Sequence, residues 1–324
     1  VKEVPAELVE FIERGSSFIV AGHKEPDGDC VGSQLALASL LERLGKRVRL
    51  CSAGPFKRPE VQPFASRFLE RPGPDELADA RVIVVDCSNL ERTGDLAPLL
   101  SGLPLAIIDH HATNDGAAEV SYVDPTTPAV TILVLALIEA FGLEPTREEA
   151  ELLLFGLCTD TGFFRHLDER GAESLESAAR MVRAGASPKR TFAAINGGKS
   201  VDSRILMGLV LSRVTSHFDG RLLLSYENLE DTERFGLQGR DSDSIYQMLQ
   251  SVAGVEAIVL IRQETPTNCT VGFRSRDSVD VAAVAARFGG GGHKQAAGLS
   301  APGTIAELRD RILAVFAEVF CNDL

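Results

Sequence analysis

The chain has 324 residues, 44% hydrophobic and 24% charged; this is a globular balance with enough apolar surface for more than one core, and it excludes a wholly disordered chain. Acidic residues number 46 and basic residues 33, a formal net charge of −13, which is the wrong sign for a protein that holds long duplex DNA by neutralising phosphates. Residues 1–203 carry −10 of that charge and residues 204–324 carry −3, so the acidity is concentrated where bound cations could offset it.

In chain order, the first half alternates short β-branched runs with helical patterns. Residues 17–21 read as a buried strand, 30–44 as a helix with a broad leucine face, and 46–51 as the next strand. Two more strands are expected at 81–86 and 105–109, then helices at 129–141, 147–160 and 173–184. Such alternation implies βαβ units and a largely parallel sheet. After a breaker at 186–190, Asn196-Gly197-Gly198-Lys199-Ser200 is the best linker sequence, which divides the chain into domains 1–190 and 204–324 joined by 191–203. Beyond it a second, smaller α/β unit is expected, with strands at 221–226, 256–263 and 269–274 and helices at 241–251, 279–287 and 304–320. The six cysteines form no C-x-x-C pair, so they read as reduced, mostly buried side chains of a cytoplasmic protein. No signal-peptide pattern opens the sequence, and its longest apolar run, 129–138, is too short to span a bilayer.

The chemistry gathers where strands end, which is where open α/β sheets bind ligands. After the first strand comes His23-Lys24-Glu25-Pro26-Asp27-Gly28-Asp29, an imidazole and two carboxylates around a turn. Asp86 ends the strand 81–86, Asp109-His110-His111 ends the strand 105–109, and Asp160 ends an apolar helix. Any one of these carboxylates alone is more often a turn or cap residue. Together they supply five aspartates and three histidines. Oxygen-rich donors with some imidazole suit a hard divalent metal better than structural zinc: Mn²⁺ first, with Mg²⁺ or Co²⁺ as substitutes. The donors outnumber the needs of one ion, so a two-metal site is expected; such a site generates a hydroxide nucleophile and steadies an in-line displacement at phosphorus.

The spaced set His23-x-x-x-Asp27-x-Asp29, Asp86, Asp109-His110-His111 and Asp160 resembles the four motifs of the DHH phosphoesterase superfamily over most of residues 15–165. The resemblance implies that His23 and Asp27 hold one metal, that Asp29, His110 and Asp160 hold the other, and that Asp86 bridges them. It gives Asp109 the task of fixing the neighbouring imidazole, and it places His111 against the substrate phosphate.

Further on, Gly289-Gly290-Gly291-Gly292-His293-Lys294-Gln295-Ala296-Ala297-Gly298 is similar to the glycine-rich signature of the DHH-associated C-terminal domain. The pair resembles the stand-alone NrnA type over roughly residues 15–320. That type implies hydrolysis of very short oligonucleotides (nanoRNA) and of 3′-phosphoadenosine-5′-phosphate (pAp), in a cleft between the two domains. Related groups cleave cyclic di-AMP or its linear product, and an inert nucleotide-binding relative would lack a metal ligand. For substrate the candidates are Arg262, Arg274, Ser275, His293 and the backbone N–H groups of Gly290, Gly291 and Gly292. One departure is Gly272-Phe273-Arg274, where that type commonly has Ser-x-Arg. Partners are short nucleotides, without a membrane or long duplex; a homodimer is compatible with this reading.

Overall fold

The structure is a computed structural model that describes residues 2–111, 118–169, 171–276 and 279–321, apart from the side chains of Gln238 and Cys321. It divides into two compact units, Val1–Gly198 and Lys199–Leu324.

The first unit runs α1 (Ala6–Arg14), β1 (Ser17–Ala21), α2 (Gly28–Arg43), β2 (Arg47–Cys51), α3 (Pro74–Leu77), β3 (Ala80–Val85), α4 (Ala97–Leu100), β4 (Leu105–Asp109), β5 (Val120–Val123), α5 (Val130–Ala140), α6 (Arg147–Asp160), α7 (Ala172–Arg183) and α8 (Pro188–Asn196). The strands form one parallel sheet in the order β2-β1-β3-β4-β5. Alternate residues of each central strand enter opposite cores, as the two-residue period of a strand requires. Phe18, Val20, Ile83, Val85, Ala106 and Ile108 pack with α1, α2, α5 and α6, whereas Ile19, Val82, Val84 and Ile107 pack with Leu96 and Leu100. Burial on both faces explains why these strands read as unbroken apolar runs. The strand order reverses direction between β1 and β3, and His23 and Asp86 follow the carboxyl ends of those two strands. That is the crevice where doubly wound sheets place ligands.

Helices α2 and α6 are antiparallel neighbours, and the contact is pinned along its length. At one end Glu149, fully buried, accepts from Ser39 Oγ (2.8 Å) and Arg43 Nη1 (2.7 Å). Farther along, a Cβ on Gly32 would stand 2.6 Å from the Leu152 carbonyl oxygen, so the helices approach there only because residue 32 has no side chain. This close seam carries the start of α2, with Asp27 and Asp29, to the end of α6, with Asp160.

The second unit runs α9 (Val201–Ser212), β6 (Thr215–His217), β7 (Leu222–Glu227), α10 (Leu229–Phe235), α11 (Ser242–Gln250), β8 (Ala257–Thr265), β9 (Asn268–Ser275), α12 (Val281–Ala286), β10 (Gly291–His293), β11 (Ala296–Pro302) and α13 (Ile305–Cys321). Its sheet has the order β10-β11-β9-β8-β7-β6, antiparallel except for the β7–β8 pair. One face packs on α12 and α13 through Phe273, Val271, Leu308 and Phe316; the other packs on α9 and α11 through Leu206, Tyr246, Ile258 and Leu260.

The structure differs from the sequence expectations at several places. The stretch 191–203 holds the end of α8 and the start of α9, with only Gly197–Ser200 between them. Both helices have serine N-caps, Ser187 and Ser200, whose side chains accept from the backbone of Arg190 and Ser203. The second half of the glycine run, Gly291 and Gly292, belongs to a short edge strand, because β10 pairs with β11. Among the cysteines, Cys30, Cys51, Cys87, Cys158 and Cys269 are buried, and the side chain of Cys321 lies outside the described residues. Among the described residues no helix is long and apolar enough to cross a membrane.

Candidate active site

Three strand ends and two helix ends converge in the first unit, and Asp86 lies at the centre. Its backbone is left-handed (φ 56°), a conformation Asp tolerates better than most residues, and its side chain is nearly buried. His23 Nε2 stands 3.4 Å from Asp86 Oδ2 and 3.7 Å from Asp27 Oδ1. On the other side His110 Nε2 stands 3.5 Å from Asp86 Oδ1 and 3.7 Å from Asp160 Oδ2. The carboxylate thus shows one oxygen to each imidazole. Asp29, His110 and Asp160 each bring a donor atom within 4.8 Å of the others, and so do Asp86, Asp109, His110 and His111.

The backbone sets the tautomers. His23 Nδ1–H donates to the Lys24 carbonyl (2.9 Å) and His110 Nδ1–H to the Thr127 carbonyl (3.1 Å), because a carbonyl can only accept. Each ring therefore turns its Nε2 towards carboxylate oxygens. That contact is favourable only when Nε2 carries a proton or a metal cation lies between. Metal-ligating histidines are held in this way, by an N–H bond to a carbonyl on the far side of the ring.

Protonation tells the same story. Burial raises the Asp29 pKa well above the carboxylate range, and the charges of Asp86 and Asp160 add to it. Burial first, then Asp27 and Asp86, pushes Asp160 up to about 7. For His110 burial opposes the cation, but hydrogen bonding to Asp86 and the Asp29 charge outweigh it and raise the ring to about 10. His23 is also raised: burial again opposes the cation, and Asp27 and Asp86 overcome it. Asp27 moves the other way, to about 2, because His23 more than offsets its burial. The cluster gathers protons in the absence of metal, and the donor set fits divalent cations in their place.

Asp29 is fully buried and held by long-range contacts. Its Oδ2 accepts from Val130 N–H (2.6 Å) and its Oδ1 from Thr131 N–H (3.0 Å), the first amides of α5. Asp27 caps α2 by accepting from Cys30 N–H (3.1 Å). Asp109 Oδ1 accepts from His111 Nδ1–H (2.8 Å) and from His110 N–H (2.8 Å), so one carboxylate orients both residues that follow it. His111 is the more exposed of the two imidazoles, with its Nε2 not engaged by Asp109.

The candidates in the second unit separate into two kinds. Arg274 has its guanidinium 4.6 Å above the Tyr246 ring and donates to the Phe273 carbonyl. His293, paired with Ala296, lies in the same cross-strand row as Arg274, which pairs with Ala296 from the other side, so both fall on one sheet face. Arg262, Ser275 and Gly290 are engaged internally in this structure. Arg262 donates to the buried Glu227 (2.5 Å) and to Ser242 Oγ (2.6 Å). The Ser275 hydroxyl donates to the Val279 carbonyl (2.7 Å). Gly290 N–H donates to the Ala285 carbonyl (2.9 Å), and a Cβ there would stand 2.4 Å from the Gly298 carbonyl oxygen. Its glycine is required for close packing on β11.

Several participants were not apparent from the sequence. Thr127 and the amides of Val130 and Thr131 lie some hundred positions from Asp29 or on another loop from His110, and no local pattern marks them. Cys30 was legible only as a buried thiol. In the structure it has its donor atom within 4.8 Å of donors from His23 and Asp86, and burial pushes the thiol up to about 11.

Comparison with known proteins agrees with this geometry. Residues 17–157 match the DHH family N-terminal domain, and residues 221–321 match the DHHA1 domain. A bifunctional oligoribonuclease and PAP phosphatase NrnA of Thermus thermophilus is 32% identical over 315 residues, covering 97% of this chain and 92% of that protein. The chain belongs to the NrnA proteins of the DHH family. The NrnA of Bacillus subtilis, with the same description, is 26% identical over 98% of both chains. In fold, an exopolyphosphatase-related protein of Bacteroides fragilis superposes with a TM-score of 0.79 at 24% identity, over 96% of this chain and 94% of that one. The DHH match takes in His23, Asp27, Asp29, Asp86, Asp109, His110 and His111; Asp160 lies just beyond its end.

Proposed function

We propose that this chain is a metal-dependent phosphoesterase that hydrolyses very short oligonucleotides and pAp to mononucleotides. The observation that carries the reading is the convergence on Asp86. Two imidazole Nε2 atoms face its two oxygens, and Asp27, Asp29 and Asp160 complete a cluster whose charge needs cations. His23, Asp27 and Asp86 would hold one divalent ion, and Asp29, His110, Asp160 and Asp86 the other. The oxygen-rich set favours Mn²⁺, with Mg²⁺ or Co²⁺ as substitutes. When bound, such a pair supplies a nucleophile at neutral pH and charge stabilisation at phosphorus.

The chain's own residues do the rest. Asp109 holds His111 in one tautomer and orientation, so that Nε2 is the atom presented to substrate. A protonated Nε2 there would donate to a phosphoryl oxygen or to the leaving oxygen. In the second unit Arg274 and His293 are the groups assigned to nucleotide and phosphate. The NrnA relatives support this choice of substrate, since both carry the oligoribonuclease and PAP phosphatase description.

The test is a product assay with Mn²⁺ on pAp, RNA and DNA of two to five nucleotides, a long single strand, cyclic di-AMP and pyrophosphate. The highest kcat/KM is expected on pAp or the shortest RNA, and Asp86→Asn is expected to abolish it in a folded protein. Rising, processive activity on long strands, or preference for cyclic di-AMP, would overturn this assignment.

A further inference from the structure

The two halves of the cluster are chemically unequal. Around His110 the neighbouring donors are carboxylates and imidazole. Around His23 there is also a sulfur, since His23, Cys30 and Asp86 place donor atoms within 4.8 Å of one another. Cys30 occupies the first turn of α2, three residues after Asp27, and its thiol is fully buried. The place of that thiol is built by two other residues. A Cβ on Gly22 would stand 2.2 Å from the Cys30 Sγ, so the sulfur fills the notch that glycine leaves. Gln34 Nε2 donates to the sulfur at 3.4 Å. Gln34 is itself fully buried, and its Oε1 has no hydrogen-bond partner among the described residues. A buried amide whose N–H is turned to sulfur, at the cost of an unsatisfied oxygen, favours an electron-rich sulfur over a merely space-filling one.

We infer that Cys30 is a ligand of the ion held by His23, Asp27 and Asp86, which makes that position a mixed nitrogen, oxygen and sulfur site. The inference rests on the two-metal reading and goes beyond it. When the ion enters, the Cys30 S–H bond breaks, the sulfur keeps the electron pair and shares it with the metal, and the proton leaves to solvent. No oxidant or reductant takes part. The His23 position then favours thiophilic divalent ions such as Co²⁺, Zn²⁺ and Cd²⁺, while the His110 position keeps the preferences of an oxygen and nitrogen site.

Cobalt is the probe, because a cobalt–thiolate bond adds an intense near-ultraviolet charge-transfer band to the visible bands of Co²⁺. Anaerobic titration of the full chain with Co²⁺ is expected to give that band, saturating with one ion per chain. It should vanish in Cys30→Ser and Cys30→Ala and persist in Cys87→Ala. Cd²⁺ affinity of Cys30→Ser should fall at least about 10-fold, since losing a direct ligand costs no less than losing an outer partner. Mn²⁺ affinity should change less. Visible cobalt bands without the charge-transfer band in the wild type would overturn the inference and leave the two-metal reading standing. A charge-transfer band that survives in both Cys30 variants would also overturn it. Failure to bind Co²⁺ at all would remove both. If the Cys30 variants do not fold, absence of the band in the wild type still overturns the inference, and a band that persists in Cys87→Ala supports it while one lost there overturns it.

Discussion

Replacing Gly32 by alanine tests the view that the α2–α6 seam positions the metal donors. The new Cβ would lie 2.6 Å from the Leu152 carbonyl oxygen, and ordinary contact begins near 3.4 Å, so the two helices must part by about 0.8 Å. The obstacle is backbone, which no side-chain rotation relieves. Overpacking of this kind costs about 1–3 kcal/mol. In a unit of this size that lowers the Tm by about 2–12 °C. The larger consequence is at the site. Asp29 lies one turn before Gly32 on α2, and Asp160 lies one turn after Gly156 on α6, where a Cβ would already stand 3.0 Å from Asp29 Cα. Parting the helices by about 0.8 Å separates donors to one ion, and displacement on that scale costs about 10- to 100-fold in rate. The assay is kcat/KM on pAp with Mn²⁺, below the melting range, beside a Mn²⁺ titration. Gly45→Ala is the control. Its φ of 76° makes a side chain strained by about 1–2 kcal/mol, and nothing lies near its Cβ, so stability should fall without loss of activity. If Gly32→Ala keeps wild-type kcat/KM and Mn²⁺ affinity while losing stability, the seam does not position the donors.

His111→Ala should lower kcat by about 100-fold or more with metal content near wild type, and Asp109→Asn should reproduce most of that loss by freeing the ring; metal occupancy that collapses with the rate would make His111 a ligand instead. The chelator-treated protein should lose stability as pH rises, because Asp160 between its ordinary 3.8 and about 7, and His110 between 6.5 and about 10, keep protons that the unfolded chain has released. Its Tm should therefore drop between pH 5 and pH 9 and Mn²⁺ should flatten the profile; a Tm that climbs over that range in chelator contradicts the proton-gathering cluster. Arg262→Ala should destabilise the second unit by about 1–3 kcal/mol, since it removes the hydrogen-bond donor of the buried Glu227 and leaves Arg240, 3.4 Å away, as its neighbouring cation. Arg274→Ala should leave the melt nearly unchanged and raise KM for short nucleotides, and equal effects of the two variants on stability and KM would merge roles that the structure separates.

The parallel sheet of the first unit and the motifs that follow its strands are legible from the amino acids alone. Runs such as 82–85 and 105–108 are apolar on both faces, and a strand buried on both faces is written locally, residue by residue. His23, Asp86 and His110 were legible for the same reason, because each lies within two residues of the end of such a run. What the tertiary structure decided depends on contacts between distant segments. Asp29 caps the first amides of α5, 101 and 102 positions away, and only the packing of α5 on α2 brings them together. The Thr127 carbonyl that selects the His110 tautomer is likewise placed by the loop before α5. In the second unit a one-dimensional reading could not tell Arg262 from Arg274, since both are arginines on strands. Their difference lies across the sheet: Arg262 pairs in register with Thr270 on β9 and meets the buried Glu227 of β7, whereas Arg274 lies over Tyr246. Strand register and helix packing are long-range properties, and they decide that of two identical side chains one meets a buried carboxylate and the other an aromatic ring.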